Sequence, residues 1–571
     1  MRERFDIAAD LRKIARLLEI KGENPFKTQA YERGASAIEN YQGDFDAVVK
    51  TGRLKEIPGI GNALAALIEE IYSTGECWML QQLIEGMPSG VMELSTVRGL
   101  NLKKIIALND TLGIESIADL KTACQEGLVS KVKGFGLKSQ AKLLADIESL
   151  QIPKDGSLLL SHALETADRI LKHLRVGPEL IEADLAGALR RRKETIKRIS
   201  IVGASNQPRM VLDRFLRFPA LVRTDELDEN RCLARLAGGL RAELTLVAPK
   251  DYVATLHART GSRRHTAKLE DLARAKSVTL YPERSNGTGR QIDIIRSEND
   301  IYRRLGLQYI PPEMREDEGE IEIASAGKLT PPVELADIRG MTHCHTIYSD
   351  GRNSIEEMAL AAEAMGMTYL TITDHSPSAH YARGVEIDRL RAQWDEIARV
   401  QQRVKITLLK GTESDILEDG SLDYPDHFLE QFDIIIASIH SRHRMDSEQM
   451  TQRLLRVLKL PFFKVWGHPL GRLIGSRPPL ECRMNQVLDA IAESKCAIEV
   501  NGDPHRLDLE PDWIRAARTR GIKFIVSTDA HSTTSLANLR YGISIARRGW
   551  LTRRDVLNTL DAEDFMRAVH P

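Results

Sequence analysis

The part of the chain after about residue 340 repeats one pattern, a short apolar run followed by a stretch with helical spacing. This alternation is typical of a parallel-stranded α/β domain. Because the carboxyl ends of the strands converge on one face of barrel-like α/β folds, residues far apart in sequence are expected to meet around one cavity. The apolar runs, nearly all followed by a potential metal ligand, are 340–342, 369–373, 406–410, 433–438, 463–466, 497–500 and 524–527.

The residues that follow these runs are histidines and carboxylates, and eleven of the 15 histidines fall at or after His343. His343 and His345 are two residues apart, so on an extended segment their side chains point the same way. Imidazole and carboxylate ligands suit zinc, manganese or iron rather than a thiolate-closed structural zinc. A single histidine after a strand is usually structural, but the joint pattern favours a metal site. The histidines off this pattern are interpreted as structural or solvated: His380, His427, His443, His505 and His570.

Length and composition bound the remaining possibilities. A chain of 571 residues is long enough for three or four domains, and its net charge of −1 means that nucleic-acid binding must come from local patches. The six cysteines are scattered without a CxxC pair, which fits a reducing cytosol. We find neither a signal peptide nor an apolar run near the roughly 20 residues of a membrane span. We therefore expect a cytoplasmic protein without a membrane partner.

The first 150 residues are predicted to be almost entirely helical. A glycine-containing unit recurs at 57–61, 97–101 and 132–136, each time before an amphipathic helix, which indicates repeated hairpin units. The apolar residues at helical spacing near the N-terminus are Ile7, Leu11, Ile14, Leu17 and Leu18.

Between about 155 and 325, helices are mixed with short β-runs at 198–202 and 242–247. The stretch 324–339 carries a glycine and two prolines with little periodicity, which predicts a linker.

The segments after residue 340 resemble the PHP (polymerase and histidinol phosphatase) domain, a distorted (β/α)7 barrel that usually holds three metal ions. The resemblance implies Mn²⁺, with Zn²⁺ or Fe²⁺ as alternatives. It makes Glu413 the carboxylate that bridges two ions, and Glu413, His440 and Arg506 the candidate catalytic residues. Carried over position by position, the resemblance implies nine ligands: His343, His345, Asp350, His375, Glu413, His440, His468, Asp529 and His531.

Arg506, together with Asn501, is also a candidate for contact with a substrate phosphate. The alternative for Arg506 is a surface ion pair.

The run 18–31 resembles the start of bacterial family X DNA polymerases that carry a PHP tail. The similarity continues through 305–313 into the PHP domain, so it covers essentially the whole chain. The resemblance implies a multidomain fold of α and α/β parts with these boundaries: 1–85, a helical 8-kDa-like DNA-binding domain with a helix-hairpin-helix; 86–155, a fingers-like domain with helix-hairpin-helix repeats; 156–323, a degenerate polymerase palm and thumb of nucleotidyltransferase type; 324–339, a linker; and 340–571, the PHP metallo-phosphoesterase domain.

Two of the glycine repeats look like helix-hairpin-helix turns, in which backbone N–H groups at a helix N-terminus hold a DNA phosphate without reading sequence. Plain helix connectors are the alternative. Asn101 replaces the second glycine of the middle repeat, which weakens that one as a phosphate clamp. The candidate DNA contacts are Gly59, Gly61, Gly134, Gly136 and Lys27.

The polymerase part departs from the family pattern. The family has two Asp on one palm strand and a third Asp on a later strand, and the matching positions here are Arg198, Ser200 and Glu243. Nucleotidyl transfer needs two Mg²⁺ held by oxygen ligands, whereas a guanidinium adds positive charge and cannot be deprotonated. We therefore predict an inactive or very weak polymerase site without Mg²⁺. The basic run 190–193 is interpreted either as a phosphate-backbone contact or as a solvated charged face.

A second family activity is also predicted to be absent. Family members with deoxyribose-phosphate lyase activity use a lysine as Schiff-base nucleophile, and the matching position here is Leu67.

The leading hypothesis is a DNA-repair nuclease, a metal-dependent 3′→5′ exonuclease that is also a candidate for cleavage at abasic sites and for 3′-end processing. Its expected partner is DNA with gaps, nicks or free 3′ ends. The sequence does not indicate a protein partner. The main alternative is a template-directed polymerase with a proofreading PHP exonuclease. A PHP phosphatase acting on a small metabolite and a non-catalytic DNA-binding scaffold are further alternatives.

Overall fold

The computed structural model describes the chain except residues 1–3, 22, 24, 40–44, 75–76, 85–90, 95–96, 98–99, 151–156, 237–239, 282–294 and 571. The chain divides into two compact units, Met1–Ile152 and Pro153–Pro571. Residues 98–99 of the middle glycine repeat lie outside the described residues.

The first unit is built from helices in its described part, as predicted. The five apolar residues singled out near the N-terminus are all buried. Its helices are α1 (Arg4–Lys21), α2 (Pro25–Glu39), α3 (Phe45–Lys50), α4 (Asn62–Thr74), α5 (Trp78–Ile84), α6 (Val91–Leu94), α7 (Leu102–Leu112), α8 (Ile117–Gln125) and α9 (Leu137–Leu150).

The second unit begins with a two-stranded and a five-stranded sheet. The five-stranded sheet has the order β2-β4-β7-β6-β5, and its central pair β4–β7 is parallel while the other pairs are antiparallel. The strands are β1 (Leu158–Leu159), β2 (Glu182–Ala186), β3 (Thr195–Ile196), β4 (Arg198–Ala204), β5 (Leu221–Leu227), β6 (Arg231–Leu236) and β7 (Arg241–Val247). The helices of this part are α10 (Leu160–Leu174), α11 (Gly187–Arg190), α12 (Pro208–Leu216), α13 (Tyr252–Thr260), α14 (Arg263–Ala275), α15 (Glu298–Arg304) and α16 (Glu320–Ser325).

The rest of the second unit is a seven-stranded parallel sheet whose strands follow one another in chain order. The residues just after the first and last strands also pair in parallel, at Cys344 and Ala530, so the sheet curls into a nearly closed barrel. All seven predicted strands are present: β8 (Gly340–Met341), β9 (Tyr369–Ile372), β10 (Thr407–Asp415), β11 (Ile434–Ser438), β12 (Lys464–Trp466), β13 (Cys496–Asn501) and β14 (Phe524–Ser527).

Helices alternate with these strands, and the last helix packs against buried residues of the strands. Phe565 of the last helix stacks on Tyr369 of β9 with ring centroids 4.8 Å apart, and both belong to one buried apolar cluster. The helices are α17 (Ile355–Ala364), α18 (Ile387–Gln401), α19 (Asp426–Leu429), α20 (Ser447–Leu458), α21 (Met484–Ala492), α22 (Pro511–Arg518), α23 (Leu539–Arg548) and α24 (Ala562–Val569).

The stretch 324–339, predicted as a linker, runs along the barrel. The backbone N–H of Val333 donates to the carbonyl of Leu551, and that of Arg339 donates to the carbonyl of Asn558, both at 2.8 Å. A row of ion pairs joins the preceding part to the barrel: Glu194–Arg472 at 2.8 Å, Glu313–Arg547 at 3.0 Å and Glu318–Arg515 at 2.7 Å. The five-stranded part and the barrel therefore pack against each other.

Candidate metal centre and the polymerase-like site

The strand ends of the barrel bring the predicted ligands together. Eight of the nine fall into three overlapping groups in which one potential ligand atom per residue lies within 4.8 Å of the others. The ninth, His468, lies 2.8 Å from Glu413 through its Nε2. The groups are His345, Asp350, His375 and His531; His343, His345, Glu413 and Asp529; and His375, Glu413 and His440.

Glu413 lies at the middle of this histidine–carboxylate centre and is 1% exposed. Its two carboxylate oxygens face different imidazoles, which is the arrangement that a carboxylate bridging two cations requires. Oε1 lies 2.8 Å from His468 Nε2 and 3.1 Å from His440 Nε2. Oε2 lies 3.0 Å from His375 Nδ1 and 3.5 Å from Nε2 of both His343 and His345.

Several ligand atoms in this centre are buried without a hydrogen-bond partner among the described residues. They are Nε2 of His343, Nε2 of His345, Nδ1 of His375 and Oε2 of Glu413. Buried polar atoms are normally paired, and an unpaired one costs roughly 1–3 kcal/mol. Bound cations would satisfy these atoms, so the residues present fit a multi-metal centre.

The charges in the centre also suit cations. Burial opposes ionisation of Glu413, but the surrounding imidazoles of His375, His440 and His343 outweigh it and hold the pKa of Glu413 well below its usual range. Burial lowers the pKa of His345 to about 3, helped by His531 and His375. Burial opposes protonation of His343 and His440, but nearby carboxylates outweigh it and raise the pKa of His343 well above its usual value and that of His440 to about 10. Metal binding at these imidazoles therefore displaces a proton, because the neutral imidazole is the form that binds a metal.

Two carboxylates that the sequence analysis did not single out form hydrogen bonds with the predicted ligands. Glu499 accepts from Nδ1 of His343 at 2.6 Å and from the backbone N–H of His468 at 2.5 Å. Asp415 is hydrogen-bonded to Nδ1 of His440. Such partners fix the tautomer and orientation of a ligating imidazole. A sequence signal existed for Glu499, because it is a charged residue inside the apolar strand β13.

Arg506 reaches the edge of the centre, whereas Asn501 is used elsewhere. Nε of Arg506 lies 3.4 Å from Asp529, and its Nε and Nη1 are buried without a hydrogen-bond partner among the described residues. The side chain of Asn501 donates to Glu499 and accepts from the backbone N–H of Asp503. Arg506 thus keeps donors for an anion, while the amide of Asn501 is occupied within the protein.

The three polymerase-like positions lie side by side on the five-stranded sheet. Ser200 on β4 pairs directly with Glu243 on β7, and Arg198 lies on the same strand face as Ser200. Glu243 is 2% exposed and surrounded by guanidinium groups. It lies 2.8 Å from Arg231, 3.3 Å from Arg259 and 3.3 Å from Arg198.

These arginines determine what Glu243 can bind. Burial raises the pKa of Glu243, but the hydrogen bond from Arg231 and the charges of Arg198 and Arg259 outweigh it, so the pKa is lowered. The ionised carboxylate is therefore already neutralised by the protein's own cations.

Two arginines of the basic run 190–193 form ion pairs within the protein. Arg190 makes a two-pronged hydrogen bond with Glu298, at 2.6 and 3.1 Å, and Arg191 bonds Glu316 at 2.9 Å. The solvated-face and phosphate-contact interpretations both fit these two arginines poorly, because their donors are used within the protein.

The two complete glycine repeats of the first unit have the same local structure. In each, a 3-10 helix is followed by a glycine with positive φ, Gly59 at +96° or Gly134 at +94°, and a helix begins after the second glycine. The space around Gly61 and Gly136 is open, since an added Cβ would meet nothing within 4 Å. Lys27 is exposed, and its Nζ lies 3.9 Å from Glu23. Leu67, at the lyase position, is buried in α4.

A parallel barrel with histidines and carboxylates at its strand ends defines a PHP-type domain, and comparison with known proteins agrees. The model of the PHP domain matches residues 342–503. Models of a helix-hairpin-helix domain, a SAM-like helix-hairpin-helix tandem and the DNA polymerase beta thumb match residues 3–77, 91–148 and 255–316.

The chain is 34% identical over 565 residues to the DNA polymerase/3'-5' exonuclease PolX of Bacillus subtilis (strain 168), covering 98% of both chains. A probable phosphatase of Thermoanaerobacter sp. (strain X514) is 29% identical over 230 residues, which cover 38% of this chain and 89% of the relative. The chain therefore belongs to the bacterial family X DNA polymerases with a PHP domain. Among the helices of the described residues, none has the length and apolar character needed to cross a membrane.

Proposed function

We propose that this chain is a metal-dependent 3′→5′ exonuclease acting on DNA, with a polymerase-like core that performs little or no nucleotidyl transfer. The observation that carries the proposal is the contrast between Glu413 and Glu243. The first is surrounded by imidazoles with unpaired ligand atoms, and the second by guanidinium groups. Only the first can hold the divalent ions that phosphodiester cleavage or nucleotide addition needs.

The nine predicted ligands would hold the ions, with Glu413 between two of them. When bound, such ions lower the pKa of a water and neutralise charge on a phosphate. Glu499 and Asp415 orient His343 and His440 through their other ring nitrogens. Arg506, with unpaired donors beside Asp529, would position a phosphate oxygen of the substrate.

We propose Mn²⁺ as the working metal, with Zn²⁺ and Fe²⁺ as alternatives. The donor set supports this choice only to the level of imidazole and carboxylate ligands, which suit all three. Metal analysis of the purified chain, followed by stripping and reloading with each ion, tests it.

The proposed domain boundaries follow the sequence analysis: 1–85, 86–155, 156–323, 324–339 and 340–571. The helix-hairpin-helix turns at Gly59–Gly61 and Gly134–Gly136, with Lys27, would hold backbone phosphates of gapped, nicked or 3′-ended DNA. Their open surroundings and positive-φ glycines support that role.

The deciding experiment uses a 5′-labelled primer–template with Mn²⁺, with and without dNTPs. The wild type is compared with a His343→Ala/His345→Ala variant. We expect shortening by the wild type, none by the variant, and extension by neither. A substrate with an abasic site and one with a blocked 3′ end, run in parallel, test the two further cleavage activities.

The second candidate function is template-directed polymerisation with PHP proofreading, which the name of the Bacillus subtilis relative favours. Primer extension that survives in both proteins would make this the leading function. Cleavage of a small phosphate monoester without any action on DNA would instead support a phosphatase of the kind named for the shorter relatives.

A further inference from the structure

One face of the five-stranded sheet carries a concentration of arginines that the nuclease does not use. Arg198 on β4 pairs directly with Arg241 on β7, which in turn pairs with Arg235 on β6. Arg231 lies four residues before Arg235 and therefore shares its face. Arg259 from α13 reaches the same place, because it contacts Glu243. We call these five residues the arginine face.

Acidic residues neutralise only part of this face. Glu243 is shared by Arg198, Arg231 and Arg259, and Arg231 also pairs with Glu226 at 2.8 Å. Arg235 pairs with Asp225 at 3.0 Å. Asp184 lies opposite Val202, towards the other end of β4 from Arg198. Arg231 lies in the same row as Asp184, so at the end where β4 and β7 begin four guanidinium groups face two carboxylates, Glu243 and Asp225, and the excess positive charge lies there.

The arginines at that end keep donors available to a ligand. Among the residues that the structure describes, Arg198 is 49% exposed and has one ion pair, at 3.3 Å, and Arg259 is 37% exposed with a similar contact. Arg241 is exposed. A guanidinium carries five N–H donors in a planar fork that matches a phosphate. A group that binds here is therefore an anion with several oxygens and needs no divalent ion.

We propose that the arginine face binds phosphodiester groups of a DNA strand without a metal, at the place where the family holds its catalytic ions. This inference rests on the proposed function, in that the substrate is DNA. The phosphates of a free nucleotide share the same chemistry, so the experiment must separate the two sources. The substitution of arginine for aspartate thereby exchanges a catalytic site for a strand-holding site.

The test measures binding of a labelled single-stranded oligonucleotide in EDTA by fluorescence anisotropy over a series of salt concentrations. All proteins carry His343→Ala/His345→Ala, so that the probe is not cut. The variant Arg198→Ala/Arg241→Ala removes two exposed arginines and leaves Glu243 paired with Arg231 and Arg259. We expect Kd to weaken about 10-fold and the slope of log Kd against log salt to fall by about 1.4.

Two control variants separate charge on this face from charge in general. Arg198→Lys/Arg241→Lys is expected to keep the slope, because each lysine still displaces a counterion. Arg209→Ala, which removes an exposed arginine of helix α12, is expected to leave Kd and slope unchanged. Thermal unfolding of each variant shows whether the fold is retained.

An unchanged slope and Kd in a folded Arg198→Ala/Arg241→Ala variant would overturn the proposal. Inorganic triphosphate, titrated as a competitor, distinguishes binding of a DNA strand from binding of the phosphates of a free nucleotide. If the variant loses triphosphate binding while its DNA slope is unchanged, the face takes free polyphosphates and the proposal is also wrong. Failure of the nuclease proposal would appear separately, as a wild type that does not shorten DNA in Mn²⁺.

Discussion

The second unit contains two buried glutamates that invite direct comparison. Glu413 in the barrel and Glu243 in the five-stranded sheet are 1% and 2% exposed, and the pKa of each is lowered by cationic or potentially cationic neighbours. The neighbours of Glu413 are imidazoles, and those of Glu243 are guanidinium groups. The two carboxylates share a charge state, but their neighbours differ in chemistry.

That difference is the basis of the proposal that only Glu413 works with metals. A neutral imidazole offers a lone pair to a metal ion, whereas a guanidinium offers none and stays charged. Around Glu413 several lone pairs are unpaired among the described residues, while Glu243 is fully engaged in ion pairs. We therefore expect no metal-dependent catalysis at Glu243.

The largest expected effect comes from removing ligands of Glu413's centre. In His343→Ala/His345→Ala we expect exonuclease activity to fall about 1,000-fold, because the bound ions supply several kcal/mol of transition-state stabilisation. The assay is shortening of a labelled strand in Mn²⁺. The matched control, His380→Ala/His427→Ala, removes two exposed histidines off the pattern and is expected to keep full activity. Equal loss in both variants would contradict the metal assignment.

A smaller effect is expected from Glu499→Gln. Loss of the carboxylate partner of His343 should weaken metal affinity about 10–100-fold, as for other residues that orient a ligand. Titration of the stripped protein with Mn²⁺ measures it. Glu493→Gln, at an exposed glutamate that follows helix α21, is the control and should bind the metal normally. Wild-type affinity in Glu499→Gln would mean that His343 is not a ligand.

Thermal unfolding with and without Mn²⁺ distinguishes the roles of Glu243 and Glu413. Glu243→Gln should cost about 1.5–3 kcal/mol, the usual range for hydrogen bonds to charged groups, equally in EDTA and in Mn²⁺. Glu413→Gln should instead abolish most of the Mn²⁺-dependent rise in Tm, since that rise reflects binding to the folded state. A Mn²⁺-dependent effect of Glu243→Gln would show that the sheet also holds a metal.

The effect of Glu243→Gln on the free energy of unfolding should depend on pH. Because the pKa of Glu243 is lowered in the folded protein, its ionised form stabilises the fold above the ordinary pKa of a glutamate. That contribution is lost as the pH falls through the ordinary range towards the folded pKa. The gap in unfolding free energy between wild type and Glu243→Gln should therefore be largest at neutral pH and shrink in acid. A gap that grows in acid would contradict the paired, ionised state.

The smallest expected effect links the two regions. Arg472 bonds Glu194 of the five-stranded part and the carbonyls of Arg506 and Leu507, so it holds the loop that carries Arg506. We expect Glu194→Gln to lower exonuclease activity only a few-fold, mainly through KM, because the loop keeps its other bonds. In an Arg506→Ala background the same change should have no further effect. Additive losses would mean that Glu194 acts only on general stability.

Much of the barrel could be predicted from the sequence. The seven apolar runs became the seven strands, because a strand covered on both faces needs a continuous apolar run that is visible without the fold. The strand bounds were less accurate at β10, which continues through Asp415, so that Glu413 lies inside the strand rather than after it. The role of Asn501 could not be predicted from the sequence. Its amide, a candidate for contact with a substrate phosphate, is instead hydrogen-bonded to Glu499 and Asp503.

The sequence by itself determined which residue types stand at the strand ends and that strand β4 contains no aspartate, because these follow from local pattern and identity. Only the tertiary structure decided that both oxygens of Glu413 meet separate sets of imidazoles, that Glu499 supports His343, and that Arg231 and Arg259 join Arg198 around Glu243. The physical reason is that these contacts join residues on different strands and helices. Their distances depend on strand register and barrel closure, which no single stretch of sequence encodes.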